Sequence, residues 1–326
     1  MLYAPLNPAD LNTIEGKYPK PLDLETPRSR FMHSSIVAGS EGIGRVRHPG
    51  GGPFQKGDLV FAAMPGMGTM RSFLWVPSSS LLLVPPRGEH LFTQPPQNSG
   101  AALSMLPQLG GTALRMLLDF IPEGAVIQNA GNSGVGFMAS QLAHVMNREM
   151  ISIVRRGTKS EREFEDLVEY LTKEGKSSVV VAEDDLTYKE SIQAFHKQLQ
   201  AKNLFPRLAL NAVGGNSASL LSKLMEPGGA VVTYGGMSKE PVMASTGHLI
   251  FKNFRYLGYW HSRWMTEHTY DEKEEMIDTL IDYAFEQKIS CPPFQVFSLA
   301  NFQEALLVDS GQSGLRRKIV FKCQED

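Results

Sequence analysis

The sequence is poor in the residues that build metal sites and disulfide frameworks. Only two of its 326 residues are cysteine, Cys291 and Cys323, and neither lies in a CxxC pair or a Cys/His cluster, so a structural zinc site is not expected. None of the eight histidines forms a convincing metal pair, whereas a catalytic zinc needs Cys, His or carboxylate ligands around an open position. We therefore expect no metal, and the scarcity of cysteine favours a reducing compartment.

Excess charge and long apolar runs are also missing. Lys and Arg number 32 against 34 for Asp and Glu, so the net charge is -2 and the pI is near 6.5. No strong attraction to nucleic acid or to an anionic membrane follows, and small-molecule partners are expected instead. No apolar run reaches the roughly eighteen residues of a membrane span, and the N-terminus carries neither a secretory apolar region nor an Arg-rich transit segment. We expect no membrane span, and no targeting peptide within this sequence.

The chain instead has two regions of different composition. Its length and 42% hydrophobic content exceed what one ordinary core accommodates, so two domains are expected. The first hundred residues are dense in Gly and Pro, which predicts short strands joined by tight turns. From about Ala102, apolar helical stretches alternate with short β-branched runs, as in βαβ units. We place a catalytic or substrate domain at 1–109 and 262–326, and a dinucleotide-binding domain at 110–261.

The second region predicts an α/β fold with a doubly wound parallel sheet. Between its strands, the segment FEDLVEYL places Phe164, Leu167, Val168 and Leu171 on one helical face, which suits a helix covering a sheet. The C-terminal KIVFK is strand-like, and we expect it to return to the first domain. The six predicted strands of the sheet are 125–130, 151–154, 179–182, 208–213, 230–236 and 254–260.

The clearest chemical signal is VIQNAGNSGVGFMASQLAHVM. A β-branched strand enters a turn that contains Gly131, Gly134 and Gly136, and a helix with apolar residues at helical spacing follows. Such glycines let backbone N–H groups approach a pyrophosphate at the positive end of a helix. The turn is a variant of GxGxxG, and by itself it is equally compatible with a tight strand-to-helix connection that binds nothing.

An arginine pair closes the next predicted strand. An acidic residue is expected there for NAD, because it bonds the adenosine ribose, but this chain has Arg155 and Arg156. A guanidinium pairs with a 2′-phosphate, so the sequence predicts NADPH rather than NADH. The alternative interpretation is a pair of solvated charges at the end of a strand.

Six segments taken together carry a family resemblance that covers nearly the whole chain. They resemble the mitochondrial trans-2-enoyl-CoA (enoyl-thioester) reductases, in the zinc-independent branch of the medium-chain dehydrogenase/reductase superfamily. The resemblance implies a Rossmann cofactor domain, a β-rich GroES-like catalytic domain, and NADPH-dependent reduction of the 2,3 double bond of an acyl thioester in mitochondrial fatty-acid synthesis. The segments are NPADLNTIEGKY, QNAGNSGVG, LALNAVGGNS, VVTYGGMSKEPV, LIFKNF and LGYWHSRW.

The resemblance assigns proton donation to Tyr18. Reduction of the conjugated double bond places a hydride on Cβ, pushes charge onto the thioester oxygen and requires a proton at Cα. A neutral phenol donates a hydrogen bond or a proton to such a group. Without the resemblance, a loop tyrosine is more often an amphipathic packing residue. The neighbouring motif residues are expected to hold Tyr18 in place; they are Asn7, Pro8, Asp10 and Asn12.

The resemblance also implies the cofactor contacts, most of which lie at strand ends, where open α/β sheets bind ligands. Trp260 and Trp264 either line an acyl pocket or fill the core. The implied contacts are Ser133, Gly134, Val135 and Gly136 at the glycine turn, Arg155 and Arg156, Tyr234, Gly235, Gly236 and Met237, Tyr259, Trp260, His261 and Ser262, and Arg317 or Lys318 at the place of the family's lysine.

Three departures from the family pattern leave other functions open. Leu109 stands where the family places an Asn, Ser40 gives GSEG instead of GNEG, and Met70 replaces a Trp. The alternatives are a diverged NADPH-binding paralogue with weak or no turnover and a quinone oxidoreductase-like enzyme. The implied partners are an enoyl thioester on CoA or acyl-carrier protein and a second copy of the chain, with FRYLGYW as a pairing edge. The implied location is the mitochondrion.

Overall fold

The computed structural model describes residues 1–17, 37–93, 99–120, 123–308 and 317–324. Within these ranges the strands are β1 (Tyr3–Pro5), β2 (Gly42–Arg45), β3 (Leu59–Ala62), β4 (Leu81–Leu83), β5 (Ala125–Gln128), β6 (Met150–Val154), β7 (Val179–Ala182), β8 (Pro206–Asn211), β9 (Ala230–Thr233), β10 (Arg255–Gly258), β11 (Phe294–Ser298) and β12 (Lys318–Lys322).

The helices of the described ranges include one π-helix, Leu106–Gly110, and three short 3-10 helices, Ser78–Ser80, Glu183–Leu186 and Leu299–Asn301. The α-helices are α1 (Pro8–Ile14), α2 (Pro86–Thr93), α3 (Ser99–Leu103), α4 (Gly111–Asp119), α5 (Gly134–Val145), α6 (Glu161–Lys173), α7 (Lys189–Ala201), α8 (Gly215–Leu224), α9 (Thr246–Lys252), α10 (His261–Glu267), α11 (Tyr270–Phe285) and α12 (Phe302–Val308).

The second sheet has the order β7-β6-β5-β8-β9-β10, and all its strands are parallel. This is the 3-2-1-4-5-6 order of dinucleotide-binding folds, so the predicted doubly wound α/β sheet and its six strands are confirmed. Four strands end two or three residues before the predicted position, namely β5, β8, β9 and β10, and the starts of β6, β8 and β10 differ by one or two residues. β9 stops at Thr233 because the following loop folds across the end of β8, where the N–H of Met237 donates to the Ala212 carbonyl at 3.1 Å. The carboxyl ends of all six strands therefore meet at one edge.

The first sheet has the order β11-β12-β1-β2-β3-β4. Its first two strands, β11 and β12, come from the C-terminal segment, and β12 pairs antiparallel with β1, with Tyr3 opposite Lys322. The predicted return of KIVFK to the first domain is confirmed. The first hundred residues contain the short strands β1 to β4 that were predicted, together with α1, α2 and the start of α3, for which no prediction was made. Pro86 begins α2 at a position where a helix needs no N–H donor.

One hydrophobic core extends from the first sheet to the second. Burying a large apolar side chain stabilises the fold by roughly 1.5–3 kcal/mol. The π-helix and α4 both bury such side chains in this core, which fixes their positions. The predicted division between 109 and 110 falls inside this π-helix and stays a prediction. Buried members of the core include Ile43 and Phe61 from the first sheet, Val126 and Leu208 from the second, Leu106 and Leu109 from the π-helix, and Met276 and Leu280 from α11.

Searched over the described ranges, no helix is both long and apolar enough to cross a membrane.

Candidate cofactor and active site

Most of the described segment that precedes Tyr18 is a helix, α1, although it is rich in polar and turn-forming residues. Asn7 is the N-cap of α1 and Pro8 is its first residue. The carboxylate of Asp10 accepts the backbone N–H of Asn7 at 2.8 Å, which satisfies a donor at the helix start. The description of this segment ends at Lys17, so Tyr18 lies outside the described residues and its catalytic role stays a prediction.

A cluster of buried and partly buried polar side chains lies beneath α1. We call it the Glu41 cluster, and it consists of Asn7, Asp10, Ser40, Glu41 and Lys318. Glu41 accepts from Asn7 Nδ2 at 2.7 Å, Asp10 accepts from Ser40 Oγ at 3.0 Å, and Lys318 Nζ donates to Asn7 Oδ1 at 2.5 Å. Burial raises the pKa of Asp10. Burial also raises the pKa of Glu41 to about 8, against the opposing effects of Asn7 and Lys318.

The glycine turn has the geometry of a tight strand-to-helix connection. Ser133 is the N-cap of α5, and its hydroxyl accepts the N–H of Gly136 at 3.1 Å. A Cβ on Gly136 would lie 2.6 Å from the Ala130 carbonyl oxygen, and one on Gly131 would lie 2.6 Å from the Ser152 Cβ. Contacts below 3.0 Å require the backbone to shift, so these positions accept only glycine. Gly134 and Val135 are partly exposed at the first turn of α5, where backbone N–H groups lack intrahelical partners.

The π-helix covers this turn. A Cβ on Gly134 would lie 3.0 Å from a methyl group of Leu109, which is itself buried. The Gln108 backbone N–H donates to Glu41 at 3.1 Å. Helices of this type are rare and occur most often at functional sites. The sequence offered no signal for it beyond the departure at Leu109.

Asparagines hold three strand ends together at the edge where the glycine turn lies. Asn129 Nδ2 donates to Asn211 Oδ1 at 2.8 Å, and Asn211 Nδ2 donates to Thr233 Oγ1 at 3.0 Å. Asn129 follows β5, Asn211 is the last residue of β8, and Thr233 is the last residue of β9. Sequence reasoning missed this network, although the polar Gln-Asn pair at the end of an apolar strand was a signal for it. The network fixes the edge on which a ligand would lie.

The four residues after β9 lie across this edge. A Cβ on Gly235 would lie 2.9 Å from the Ala212 carbonyl oxygen, whereas Gly236 faces open space and Met237 is exposed. The Tyr234 hydroxyl is buried, and burial raises its pKa while Ser133 at the glycine turn lowers it. The predicted contacts Tyr234, Gly235, Gly236 and Met237 are thus brought beside the glycine turn.

The two arginines after β6 have different surroundings. Arg156 forms ion pairs with Glu161 at 2.5 Å and Asp185 at 3.1 Å, and its guanidinium lies over the Phe164 ring at 4.6 Å. Arg155 is exposed, and within the described ranges no carboxylate is recorded within 4 Å of its guanidinium. Of the two predicted contacts, Arg155 is therefore the one that is available for an anionic ligand.

The segment after β10 is partly interior. The Tyr259 hydroxyl and His261 Nδ1 are 2.9 Å apart, and both side chains are buried. His261 also bonds the backbone of Pro107, and burial lowers its pKa to about 4, so the imidazole is neutral at neutral pH. Trp260 and Ser262 are partly exposed. In this segment, Trp260, Ser262 and the backbone are therefore the groups that a ligand could contact. The buried pair Tyr259 and His261 instead supports the π-helix.

Trp264 and Arg317 lie in contrasting environments. Trp264 is buried, with the Arg115 guanidinium 4.8 Å from its ring and the His268 ring stacked at 4.2 Å. Of its two predicted roles, the structure therefore shows core packing. Arg317 is exposed just before β12, whereas Lys318 belongs to the Glu41 cluster. Of these two residues, Arg317 is therefore the one that is free of the Glu41 cluster and could contact a cofactor.

Comparison with known proteins identifies relatives over almost the entire chain. An enoyl-[acyl-carrier-protein] reductase, mitochondrial, of Bos taurus is 36% identical over 311 residues, covering 94% of this chain and 75% of the relative. The protein of the same name from Dictyostelium discoideum is 36% identical over 331 residues, covering 99% and 85%. The chain belongs to the mitochondrial enoyl-[acyl-carrier-protein] reductase family. No protein-family model matches it.

Solved structures show the same fold as this enoyl reductase chain. An Etr1p/NADP/crotonyl-CoA complex has a TM-score of 0.80 at 24% identity, covering 98% of this chain and 89% of the other. A putative NADPH:quinone reductase from Bacillus thuringiensis has a TM-score of 0.75 at 18% identity, covering 99% and 88%. The chain therefore shares the fold of these reductases, and the fold does not by itself choose between their activities.

The three departures from the reductase family pattern have distinct surroundings. Leu109 packs on Gly134 at the glycine turn. Ser40 supports Asp10 in the Glu41 cluster, and Met70 packs against the apolar group that contains Ala4 and Phe321. Only Leu109 therefore lies directly against a predicted cofactor residue. The described residues contain no group of three His, Cys, Asp or Glu that could hold a metal ion.

Proposed function

We propose that this chain reduces the 2,3 double bond of trans-2-enoyl thioesters with NADPH. The observation that carries the proposal is its 36% identity to enoyl-[acyl-carrier-protein] reductases over 94% of its length. The glycine turn, cradled by Ala130 and Ser152, and the exposed Arg155 fit a dinucleotide with a 2′-phosphate. The reaction belongs to mitochondrial fatty-acid synthesis, and we infer a mitochondrial location for the chain.

Different residues of the chain bind the cofactor and protonate the substrate. When bound, NADPH supplies the hydride that adds to Cβ of the thioester. The N–H groups at the start of α5 hold the pyrophosphate, because they lack intrahelical partners. Tyr18 stabilises the negative charge that develops on the thioester oxygen and donates the proton that Cα takes up, directly or through a water. The products are a saturated acyl thioester and NADP⁺.

The proposal is tested by NADPH consumption with a trans-2-enoyl-CoA of medium chain length, beside an NADH control and a quinone control. NADPH-selective turnover of the enoyl thioester alone supports it. Faster turnover of the quinone would assign the chain to the quinone reductases instead. NADPH binding without turnover of either substrate would mark a cofactor-binding paralogue, with Leu109 as the first residue to examine.

Arg155 is expected to discriminate between the two nicotinamide cofactors. Replacing Arg155 with Ala should raise the Kd for NADPH about 10- to 100-fold, the loss expected for a charge-assisted contact of about 1.5–3 kcal/mol. The Kd for NADH should change less than about twofold, because NADH has no 2′-phosphate. Fluorescence titration of the purified variant with each cofactor measures both values.

Arg156→Ala is the matched control for this experiment. Its guanidinium is already engaged by Glu161, Asp185 and Phe164, so its loss should lower the Tm and leave the ratio of the two Kd values nearly unchanged. Equal loss of NADPH and NADH binding in Arg155→Ala would remove Arg155 from cofactor discrimination.

The chain is proposed to form a homodimer through the edge of its second sheet. β10 is the last strand of that sheet in the described ranges, and unpaired edges invite pairing with another chain. Ile250 and Phe251 on α9 and Leu257 on β10 expose apolar side chains nearby, with Phe251 84% exposed. An Etr1p/Etr2p heterodimer is known for a mitochondrial 2-enoyl thioester reductase from Candida tropicalis.

Light scattering over a wide concentration range tests the dimer. A mass of two chains is expected, and Phe251→Glu should shift the equilibrium toward one chain because it buries a charge at the interface. A monomer at every concentration would contradict the proposal.

A further inference from the structure

Glu41 connects two elements that are distant in the sequence. It immediately precedes β2 and is 1% exposed. One carboxyl oxygen accepts from Asn7 Nδ2 at 2.7 Å, and the other accepts from the Gln108 backbone N–H at 3.1 Å. Asn7 begins α1, and Gln108 lies in the π-helix. A single side chain therefore bonds both elements at once.

Each of these elements leads to a different part of the proposed active site. α1 ends at Ile14, and the chain continues through Lys17 directly to Tyr18. The π-helix places Leu109 against Gly134 of the glycine turn, and its Pro107 backbone is bonded by His261 on the other side. The carboxyl group of Glu41 thus links α1, which precedes Tyr18 in the sequence, to the π-helix that packs on the glycine turn.

The surroundings of Glu41 contain few other titratable groups. Within the described residues, Asp10 faces it from α1, Lys318 from β12, and the half-buried Cys291 from the segment before β11. A buried carboxyl group is costly unless its oxygens are satisfied. Both oxygens accept here, and they retain acceptor capacity whether or not the group is protonated. An amide in the same place accepts with one atom only.

We propose that Glu41 is a positioning residue that fixes the spacing between α1 and the π-helix that packs on the glycine turn. Neither the cofactor contacts nor the proton donor of the proposed reaction includes Glu41, and its influence on turnover rests on that proposed function. The bridge between α1 and the π-helix is a structural property and can be measured without any activity.

Hydrogen exchange of the purified full chain, followed by mass spectrometry, tests the bridge. In Glu41→Gln, the amide nitrogen cannot accept, so one of the two bonds is lost. Exchange should accelerate by at least about fivefold, as for a lost buried hydrogen bond, in the segment whose bond is lost, which is either 103–112 or 1–17. Unchanged exchange of both segments would overturn the proposal.

Asp10→Asn is the matched control, because Asp10 is an equally buried carboxyl group without a bond to the π-helix. It should accelerate exchange of the 1–17 segment alone. Should Glu41→Gln fail to fold, Asn7→Ala removes the α1 arm of the bridge and keeps Glu41. Faster exchange confined to the 1–17 segment in Asn7→Ala supports the two-armed arrangement, and no change there contradicts it.

Kinetics separate positioning from general loss of structure. Glu41→Gln should lower kcat about 10- to 100-fold, as expected for misplaced reacting groups, while the Kd for NADPH changes by less than about twofold. A parallel loss of kcat and of NADPH affinity would indicate damage to the glycine turn instead. If the unmodified chain reduces no enoyl thioester, the proposed function fails, and the exchange experiment still decides the role of Glu41.

Discussion

Tyr18→Phe is expected to lower kcat for the enoyl thioester by about 100- to 10,000-fold, the usual contribution of a positioned general acid. The phenyl ring keeps the shape of the side chain but has no proton to give to Cα and no hydrogen bond for the thioester oxygen. Because the hydroxyl is assigned no part in cofactor binding, the Kd for NADPH should remain within about twofold. Steady-state turnover and cofactor titration on the same preparation measure both quantities.

Tyr188→Phe is the control for this substitution. Tyr188 is 73% exposed at the start of α7, so loss of its hydroxyl should leave kcat unchanged. If Tyr18→Phe turns over as fast as the unmodified chain, Tyr18 is not the acid, and another donor near the thioester must be sought.

Gly136→Ala is the second substitution with a large expected effect. The new Cβ would lie 2.6 Å from the Ala130 carbonyl oxygen and 3.0 Å from the Gly131 Cα. Both neighbours are backbone atoms, so the glycine turn itself must move. We expect a loss of stability of about 1–3 kcal/mol from overpacking. We also expect a fall in NADPH affinity on the order of 100-fold, because the N–H groups no longer face the pyrophosphate.

Gly247→Ala provides the matched change at an uncrowded site. A Cβ there has only ordinary contacts at 3.8 Å within α9, and Ala in a helix is more favourable than Gly by about 1 kcal/mol. Its thermal stability should be unchanged or slightly higher, and its NADPH affinity unchanged. Normal cofactor binding by Gly136→Ala would show that the glycine turn is not where the pyrophosphate lies.

The second sheet was readily predicted because its inner strands, such as β5 and β6, are buried on both faces. Such strands are continuous apolar runs, as in ISIV, and helices with one apolar stripe separate them. The helices near the N-terminus were harder to predict. α1 and α3 are only seven and five residues long, so periodicity is hardly visible, and the surrounding Gly and Pro residues favoured strands and turns.

The candidate site was predictable where its chemistry is local in sequence. The glycine turn occupies one short segment, and the arginines follow the next strand directly. The Glu41 cluster joins residues that are 34 and 311 positions apart, and no pattern along the chain reveals such pairs. The different surroundings of Arg155 and Arg156 also depend on a distant partner, Asp185, which only the packing of β6 beside β7 brings near.

The central claim is that hydride reaches Cβ of an enoyl thioester and that a proton from the enzyme side reaches Cα. Isotopic labelling tests it directly: the purified chain reduces a trans-2-enoyl-CoA with NADPH deuterated at the transferred position, and separately with ordinary NADPH in D₂O. The account predicts a saturated acyl-CoA with cofactor deuterium at Cβ only in the first case and solvent deuterium at Cα only in the second. Absence of the saturated product, or cofactor deuterium at Cα, would contradict it.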